Sequence, residues 1–333
     1  MNGADKQVTA MQLCRAGEPL HEVRRDMPEP RGADLLIEVA ACGVCRTDLH
    51  IVDGDIHDAL PIVLGHEIVG HVIALGPEAQ EFAIGDRVGV PWLGGTDRAC
   101  FHCTHGMENL CDRPTITGFT RDGGYATHVL ADSRYCLTIP AVFDDVHAAP
   151  LLCAGLIGYR ALKLAGRGMR LGFYGFGASA HILAQVAAWQ SCEVFAFTRD
   201  GDTERQDFAR SLGCVWAGGS SEPPPHAFDA AIIFASVGAL VPTALRHVRK
   251  GGTVVCAGIH MSDIPAFRYE LLWGERVVRS VANLTRADGR EFMAIAGQIP
   301  VKTSTTVYPL AKANEALEAL RSGSLEGAAV LVP

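Results

Sequence analysis

The sequence predicts an α/β fold in which a strand-rich first half precedes a doubly wound parallel sheet. Three observations carry this. Apolar residues of the first half fall in short runs broken by Gly and Pro, without a long helical period. From Leu151 onward, strand-like apolar runs alternate with helix-like segments, as in a parallel sheet wound by crossover helices. That alternation opens on a glycine-rich turn, Gly175-Phe-Gly-Ala-Ser-Ala180.

In chain order, residues 35–41, 68–75 and 125–130 read as strands of the first half. Residues 151–165 have helical spacing and mark the change of texture. Residues 171–174, 193–197, 230–234 and 253–258 read as buried strands, with helices over 178–190, 203–212 and 239–248 between them. The Ser-Ser-Glu-Pro-Pro-Pro run from Ser220 is a loop. Residues 310–322 read as a helix and 328–332 as a last strand. No internal repeat or low-complexity segment stands out.

The chain has 333 residues, of which 48% are hydrophobic and 20% charged, a balance that excludes wholesale disorder. Lys plus Arg total 29 against 37 Asp plus Glu, for a net charge of −8 with no basic block. Nucleic acid and anionic membrane are therefore not expected as partners. Eleven cysteines are too few, and odd in number, for a disulfide scaffold. The start, through Cys14, lacks the apolar core of a secretory leader. The longest apolar stretch, 230–241, is interrupted by Ser236 and Gly238 and stops at Pro242. It falls short of the ~18 residues that a membrane helix needs. A cytoplasmic location follows, and there clustered cysteines point to metal or catalysis more than to disulfides.

Three clusters carry the chemistry. The first joins Cys45, in Cys42-Gly-Val-Cys-Arg-Thr-Asp-Leu-His50, to His66, in Gly65-His-Glu67, and to Cys153. Two thiolates and one imidazole are a catalytic zinc set with a fourth position open. The residues alone leave this beside a second reading, small thiols packed in a core. The second cluster is Asp97-x-x-Cys100-x-x-Cys103-x7-Cys111, in a polar loop where three cysteines have little packing use. It reads as a closed structural zinc site, with Asp97 as fourth ligand and His102 or His105 as alternative donors.

The third cluster is the glycine turn, a G-x-G-x-x-A pattern between strand and helix. Gly175 would allow the turn, Gly177 the approach of a pyrophosphate to backbone N–H groups, and Ala180 close helix–sheet packing. At the end of the next strand stand Thr198 and Arg199. An NAD site places a carboxylate there, so Thr198 lacks the charge that would repel a 2′-phosphate and Arg199 supplies one that attracts it. NADP is favoured over NAD, with Asp200 and Asp202 keeping NAD open.

Together the clusters resemble the medium-chain, zinc-dependent alcohol dehydrogenases over essentially the whole chain. The matching segments are Gly43-Val-Cys-Arg-Thr-Asp48, Gly65-His-Glu67, Gly85-Asp-Arg-Val88, the Cys-rich loop, Leu152-Cys-Ala-Gly155 and the glycine turn. The resemblance implies a GroES-like catalytic domain over 1–150, completed by 287–333, around a Rossmann domain over 151–286. It implies reversible hydride transfer between a primary or secondary alcohol, medium-chain or aromatic, and a nicotinamide cofactor. Two zinc ions per chain and a homo-oligomer, tetramer or dimer, also follow from it. Carried over by position, Cys45, His66 and Cys153 become the catalytic zinc ligands, and Glu67 a carboxylate that approaches the metal during ligand exchange. Asp48 orients His66, Thr47 and His50 relay the proton, Arg46 meets the pyrophosphate, and Ile56 and Trp92 line the substrate pocket.

The sequence departs from the family pattern at three positions. Asp97 replaces a structural cysteine, Ala328 replaces an arginine on the cofactor phosphate, and Ile56 replaces a bulky aromatic, which widens the pocket. Rival readings are a zinc-free quinone or enone reductase, a polyol dehydrogenase and a non-catalytic zinc- or nucleotide-binding protein. The complete ligand set, Cys153 itself and the Thr47–His50 pair respectively argue against them.

Overall fold

The structure is a computed structural model that describes residues 7–56, 60–166, 168–299, 301–325 and 327–333. The first six residues, part of the stretch read above for a leader, lie outside the described residues. The chain divides into two compact units, one of Met1–Cys153, Asn283–Gln298 and Lys302–Pro333, the other of Ala154–Ala282 and Ile299–Val301.

The first unit is built on β-sheets. Its long central strand, Asp34–Val44, pairs antiparallel with Ile68–Leu75 on one edge and with His128–Asp132 and Ala328–Val332 on the other. The C-terminal strand is thus sewn beside the segment that leads into Cys45, with Ala329, Val330 and Leu331 opposite Val44, Gly43 and Cys42. Many residues of this unit are fully buried, among them Leu35, Ile37, Ile68, Val88, Tyr125 and Leu331. The sequence reading of a strand at 125–130 differs from the observed His128–Asp132. Tyr125 instead gives its carbonyl to Met11 and its N–H to Leu64, out of register with the long ladder.

The second unit is a six-stranded, all-parallel sheet in the order Trp216–Gly219, Glu193–Thr198, Arg170–Tyr174, Phe228–Ile233, Val248–Cys256, Val277–Ser280. In sequence terms this is 3-2-1-4-5-6, the order of a dinucleotide-binding sheet, whose chain reversal lies beside Arg170–Tyr174. Its core is aromatic. Tyr174 and Phe197 stack at 4.3 Å, and Phe173 and Phe228 are fully buried. The edge strand Trp216–Gly219 is invisible to pattern reading because two of its four residues are glycine. Val277–Ser280 escapes it too, as an exposed edge with no buried face. The helix expected over 151–165 is two pieces, a 3₁₀ turn Ala149–Leu152 and the helix Ala154–Ala165, broken at Cys153. No single described helix is long and apolar enough to cross a membrane.

Candidate active site

The site of the first unit is assembled at the ends of three segments. Cys45 directly follows the central strand and serves as N-cap of the helix Arg46–Asp53. Its backbone N–H donates to Asp48 Oδ2 at 2.8 Å, which fixes the first turn and aims Asp48 inward. His66 follows Gly65, whose φ of +98° is open to glycine without strain. Cys153 sits in the break between the two helical pieces.

These segments bring Cys45, His66, Glu67 and Cys153 into one group whose ligand atoms lie within 4.8 Å of one another. Cys45 Sγ is 3.7 Å from Cys153 Sγ. His66 is 1% exposed, and its Nε2 is buried with no hydrogen-bond partner in the protein. A buried imidazole nitrogen facing two thiols lacks its stabilising contact unless an electrophile fills the space. The donors are soft sulfur and imidazole, which suits zinc. The Cys153 thiol and then the His66 ring hold Cys45 well below the ordinary thiol range, favouring the thiolate that metal binding needs. Burial pushes Glu67 well above the carboxylate range, and the nearby Cys45 charge adds to this.

Asp48 stands behind the His66 ring. Asp48 is fully buried, its Oδ1 lies 3.4 Å from His66 Nδ1, and its Oδ2 accepts the Tyr125 hydroxyl at 3.0 Å. Burial works against a proton on His66, but the Asp48 carboxylate and then Cys45 together outweigh it and keep the ring more basic than usual. Sequence reasoning missed Tyr125, which in sequence reads as one more strand aromatic. Trp92 meets the His66 ring edge-on at 4.8 Å and stacks on Phe119 at 5.9 Å, a second residue the sequence did not single out. Ile56 packs half-buried against the core of this unit. Thr47 is buried, with Oγ1 3.6 Å from Cys45 Sγ. His50, four residues after Arg46 on the same helix, sets Nδ1 2.8 Å from Asp55 Oδ2. Arg46 itself is exposed.

Asp97, Cys100, Cys103 and Cys111 form a second group with the same mutual closeness, and neither His102 nor His105 belongs to it. His105 is instead taken up by the Phe101 carbonyl, 2.7 Å from its Nδ1. Backbone N–H groups of Asp97 and Arg113 both point at Cys111 Sγ at 3.4 Å. Amides aimed at sulfur stabilise thiolates, as a metal site requires. The N–H groups of Cys100 and then Ala99 hold the Asp97 carboxyl well below its usual range. An anionic carboxylate with three thiols is a donor set that fits zinc.

In the second unit the turn Gly175-Phe176-Gly177 joins strand to helix Ala178–Trp189. Gly175 has φ +89°, and a Cβ there would press on Ala235 at 2.9 Å. Gly177 is the N-cap, with nothing within 4 Å of where a Cβ would stand, so the first-turn N–H groups remain open. Ala180 is fully buried between helix and sheet. The Thr198 hydroxyl donates to the Arg199 carbonyl at 3.0 Å and accepts from Gln206 Nε2 at 3.2 Å. Thr198 is thus committed internally, and what it brings to a cofactor site is the absence of a carboxylate. Asp200 accepts from the Ser221 hydroxyl at 2.7 Å and its N–H at 3.1 Å. Asp202 caps the helix Thr203–Ser211 and pairs with Arg205 at 3.5 Å.

Comparison with known proteins agrees with this geometry. The family described as alcohol dehydrogenase GroES-like domain matches residues 31–141. The chain is 43% identical to the probable alcohol dehydrogenase AdhA of Mycobacterium tuberculosis (strain CDC 1551 / Oshkosh), over 98% of this chain and 97% of that protein. It is 33% identical to an alcohol dehydrogenase of Moraxella sp. (strain TAE123), over 97% and 98%. Among solved structures, a cinnamyl alcohol dehydrogenase of Sorghum bicolor superposes with a TM-score of 0.89 at 25% identity, covering 98% of both chains. The chain therefore belongs to the medium-chain, zinc-type alcohol dehydrogenase family and is an oxidoreductase of that class.

Proposed function

We propose that the enzyme interconverts medium-chain or aromatic, primary or secondary alcohols and their carbonyl products, with zinc at Cys45, His66 and Cys153 and NADP as preferred cofactor. The observation that carries this reading is the buried group of two thiols and an imidazole, oriented by Asp48, in a chain that also has an open dinucleotide turn. Zinc, when bound, supplies Lewis acidity that makes an alcohol hydroxyl more acidic. The protein's own groups do the rest. Asp48 and Tyr125 hold the His66 ring in place. Glu67 is the exchangeable member of the donor group. Thr47 and His50 carry the alcohol proton towards solvent, and Asp55, accepting from Nδ1–H, directs the basic lone pair to Nε2. Trp92 walls the substrate space, and Ile56 leaves room there for a longer or aromatic chain.

Two further assignments belong to the same reading. Asp97, Cys100, Cys103 and Cys111 hold a structural zinc, and the enzyme works in the cytoplasm as a homo-oligomer. The exposed side chains of Tyr269, Trp273 and Val277 beside the open sheet edge support self-association. Metal analysis of the purified protein is expected to find zinc for both donor groups. Asp97→Ala should lose only the second metal and lower the melting temperature. Unchanged zinc content in that variant would remove Asp97 from the ligand set.

Cofactor choice rests on the second unit. Both acids that could hold an adenosine ribose are occupied, Asp200 by Ser221 and Asp202 by its helix cap, while Arg199 is exposed beside them. Fluorescence titration is expected to find NADPH bound about tenfold tighter than NADH, or about 1.4 kcal/mol. Arg199→Ala should abolish most of the difference by weakening NADPH alone. Equal affinities in the parent enzyme would overturn the NADP assignment, and binding of neither would overturn the dehydrogenase reading.

A further inference from the structure

The second donor group sits in a loop that packing alone does not hold. From Thr96 to Pro114 only Glu108 and Cys111 are buried, while Phe101 and Leu110 are exposed. The loop is closed at its base by a short antiparallel pair, Leu93–Gly95 with Thr115–Ile116, in which Leu93 stands opposite Ile116. A segment with so little apolar burial keeps its shape through a bound ligand and polar ties. Two such ties reach it from elsewhere in the same unit, and they meet each other.

The first is Tyr135, at the end of the 3₁₀ turn Ser133–Tyr135. Its ring is buried and packs with Leu93 and Ile116 at the base of the loop. Its hydroxyl lies 2.5 Å from Thr96 Oγ1, and Thr96 stands directly before Asp97. The Thr96 side chain in turn hydrogen-bonds Cys103. The second tie is Arg286, the first residue of the helix Arg286–Ala296. Its backbone N–H and its Nε donate to Glu108 Oε1 at 2.9 and 3.3 Å, and Glu108 lies between Cys103 and Cys111. Glutamate is seldom buried unless paired. This one faces both a guanidinium and the positive end of a helix. The Arg286 guanidinium also lies over the Tyr135 ring, 5.2 Å from its centroid. The two residues thus form one stacked unit that touches both arms of the loop, the arm that carries Asp97 and the arm that leads to Cys111.

We propose that the stacked Tyr135–Arg286 pair is a clamp that preorganises Asp97, Cys100, Cys103 and Cys111 for their metal, so that metal retention in this loop is set by two positioning residues outside it. The inference rests on the structural-zinc reading given above. With the Tyr135 hydroxyl donating to Thr96 Oγ1, the Thr96 hydroxyl proton turns to the Cys103 sulfur. Holding Thr96 also fixes where the backbone of Asp97 begins. Glu108, held by Arg286, sets the other arm. Without the clamp the loop has to find this arrangement as it binds, and its metal leaves faster.

The test uses the full-length, zinc-loaded enzyme and follows zinc release into an excess of a chromogenic chelator. The phase that belongs to the second group is identified by its loss in Cys100→Ala. Tyr135→Phe keeps the ring and deletes the hydroxyl. It is expected to speed that phase about five- to tenfold, the scale of one hydrogen bond, and to leave release from the Cys45, His66 and Cys153 group within about twofold of the parent. Thr96→Val should do the same, and the Thr96→Val/Tyr135→Phe double variant no more than either, since both cut one connection. Arg286→Gln should speed the same phase. The melting temperature separates a clamp from a plain packing contact. Tyr135→Phe should lower it in the parent background, and by less than half as much in the Cys100→Ala background, where there is no metal to position. Equal losses in the two backgrounds would reduce the pair to a structural tie and overturn the proposal. If Arg286→Gln proves unstable, the Tyr135 and Thr96 variants decide the matter. A parent enzyme with a single zinc per chain would sink the second-metal reading and the clamp with it. Two zinc ions per chain, released from every variant at the parent's rates, would sink the clamp alone.

Discussion

Cys45→Ala is expected to yield a folded protein that has lost the metal of the buried donor group and turns over alcohol at least about a thousandfold more slowly, since such a metal contributes several kcal/mol to the transition state. The reason is geometric. Cys45, His66 and Cys153 are held by three separate segments, and the one other donor in their group, Glu67, offers a harder oxygen in place of a lost sulfur. His66→Ala should be as inactive and less stable. It leaves Asp48, fully buried, with only the Tyr125 hydroxyl and the Cys45 N–H as partners, at a cost of about 3 kcal/mol for the broken buried pair. The two variants thus separate catalysis from stability. Zinc content, kcat/KM and urea unfolding on the same preparations check all three. Turnover within tenfold of the parent by a Cys45→Ala enzyme lacking zinc would sink the assignment of this group.

What could be read from the sequence follows the range over which each feature is specified. The parallel sheet was legible through its four buried strands and the helices between them, whose patterns are local, and the glycine turn because its spacing is local, while the two edge strands Trp216–Gly219 and Val277–Ser280 carry no such pattern. The grouping of Asp97 with Cys100, Cys103 and Cys111 was legible for the same reason, since all four donors fall within one short segment. Cys45, His66 and Cys153 were legible as a set through the family resemblance, and the fold brings the Cys153 sulfur, far along the chain, to 3.7 Å from that of Cys45. Tyr125 and Asp55 could not be read at all. Tyr125 looks like packing until its hydroxyl is seen on Asp48, and Asp55 like a loop acid until it meets His50. Thr198 shows the reverse error, for its identity was informative while its hydroxyl is spent on the Arg199 carbonyl and Gln206.

Gly65→Ala is expected to cost about 3 kcal/mol or more of stability. Two penalties add. The residue stands at φ +98°, where an L side chain is strained, and its Cβ would come to 2.4 Å from the Tyr125 ring and 2.7 Å from Cys42 Sγ. Neither neighbour can yield, because Tyr125 and Cys42 are both fully buried. The turn cannot yield either, since the Gly65 carbonyl accepts from Gly124 N–H at 2.9 Å. If the Tyr125 ring is displaced, its bond to Asp48 goes with it, and with that the orientation of His66. Zinc affinity should therefore fall along with stability. Tyr125→Phe is the control, because it deletes the hydroxyl, keeps the ring and costs only about 1 kcal/mol. Urea unfolding with zinc titration distinguishes the two. A Gly65→Ala enzyme as stable as Tyr125→Phe would mean that the turn relaxes. His66 would then owe its place to the hydrogen bonds around Asp48 and not to the backbone that delivers it.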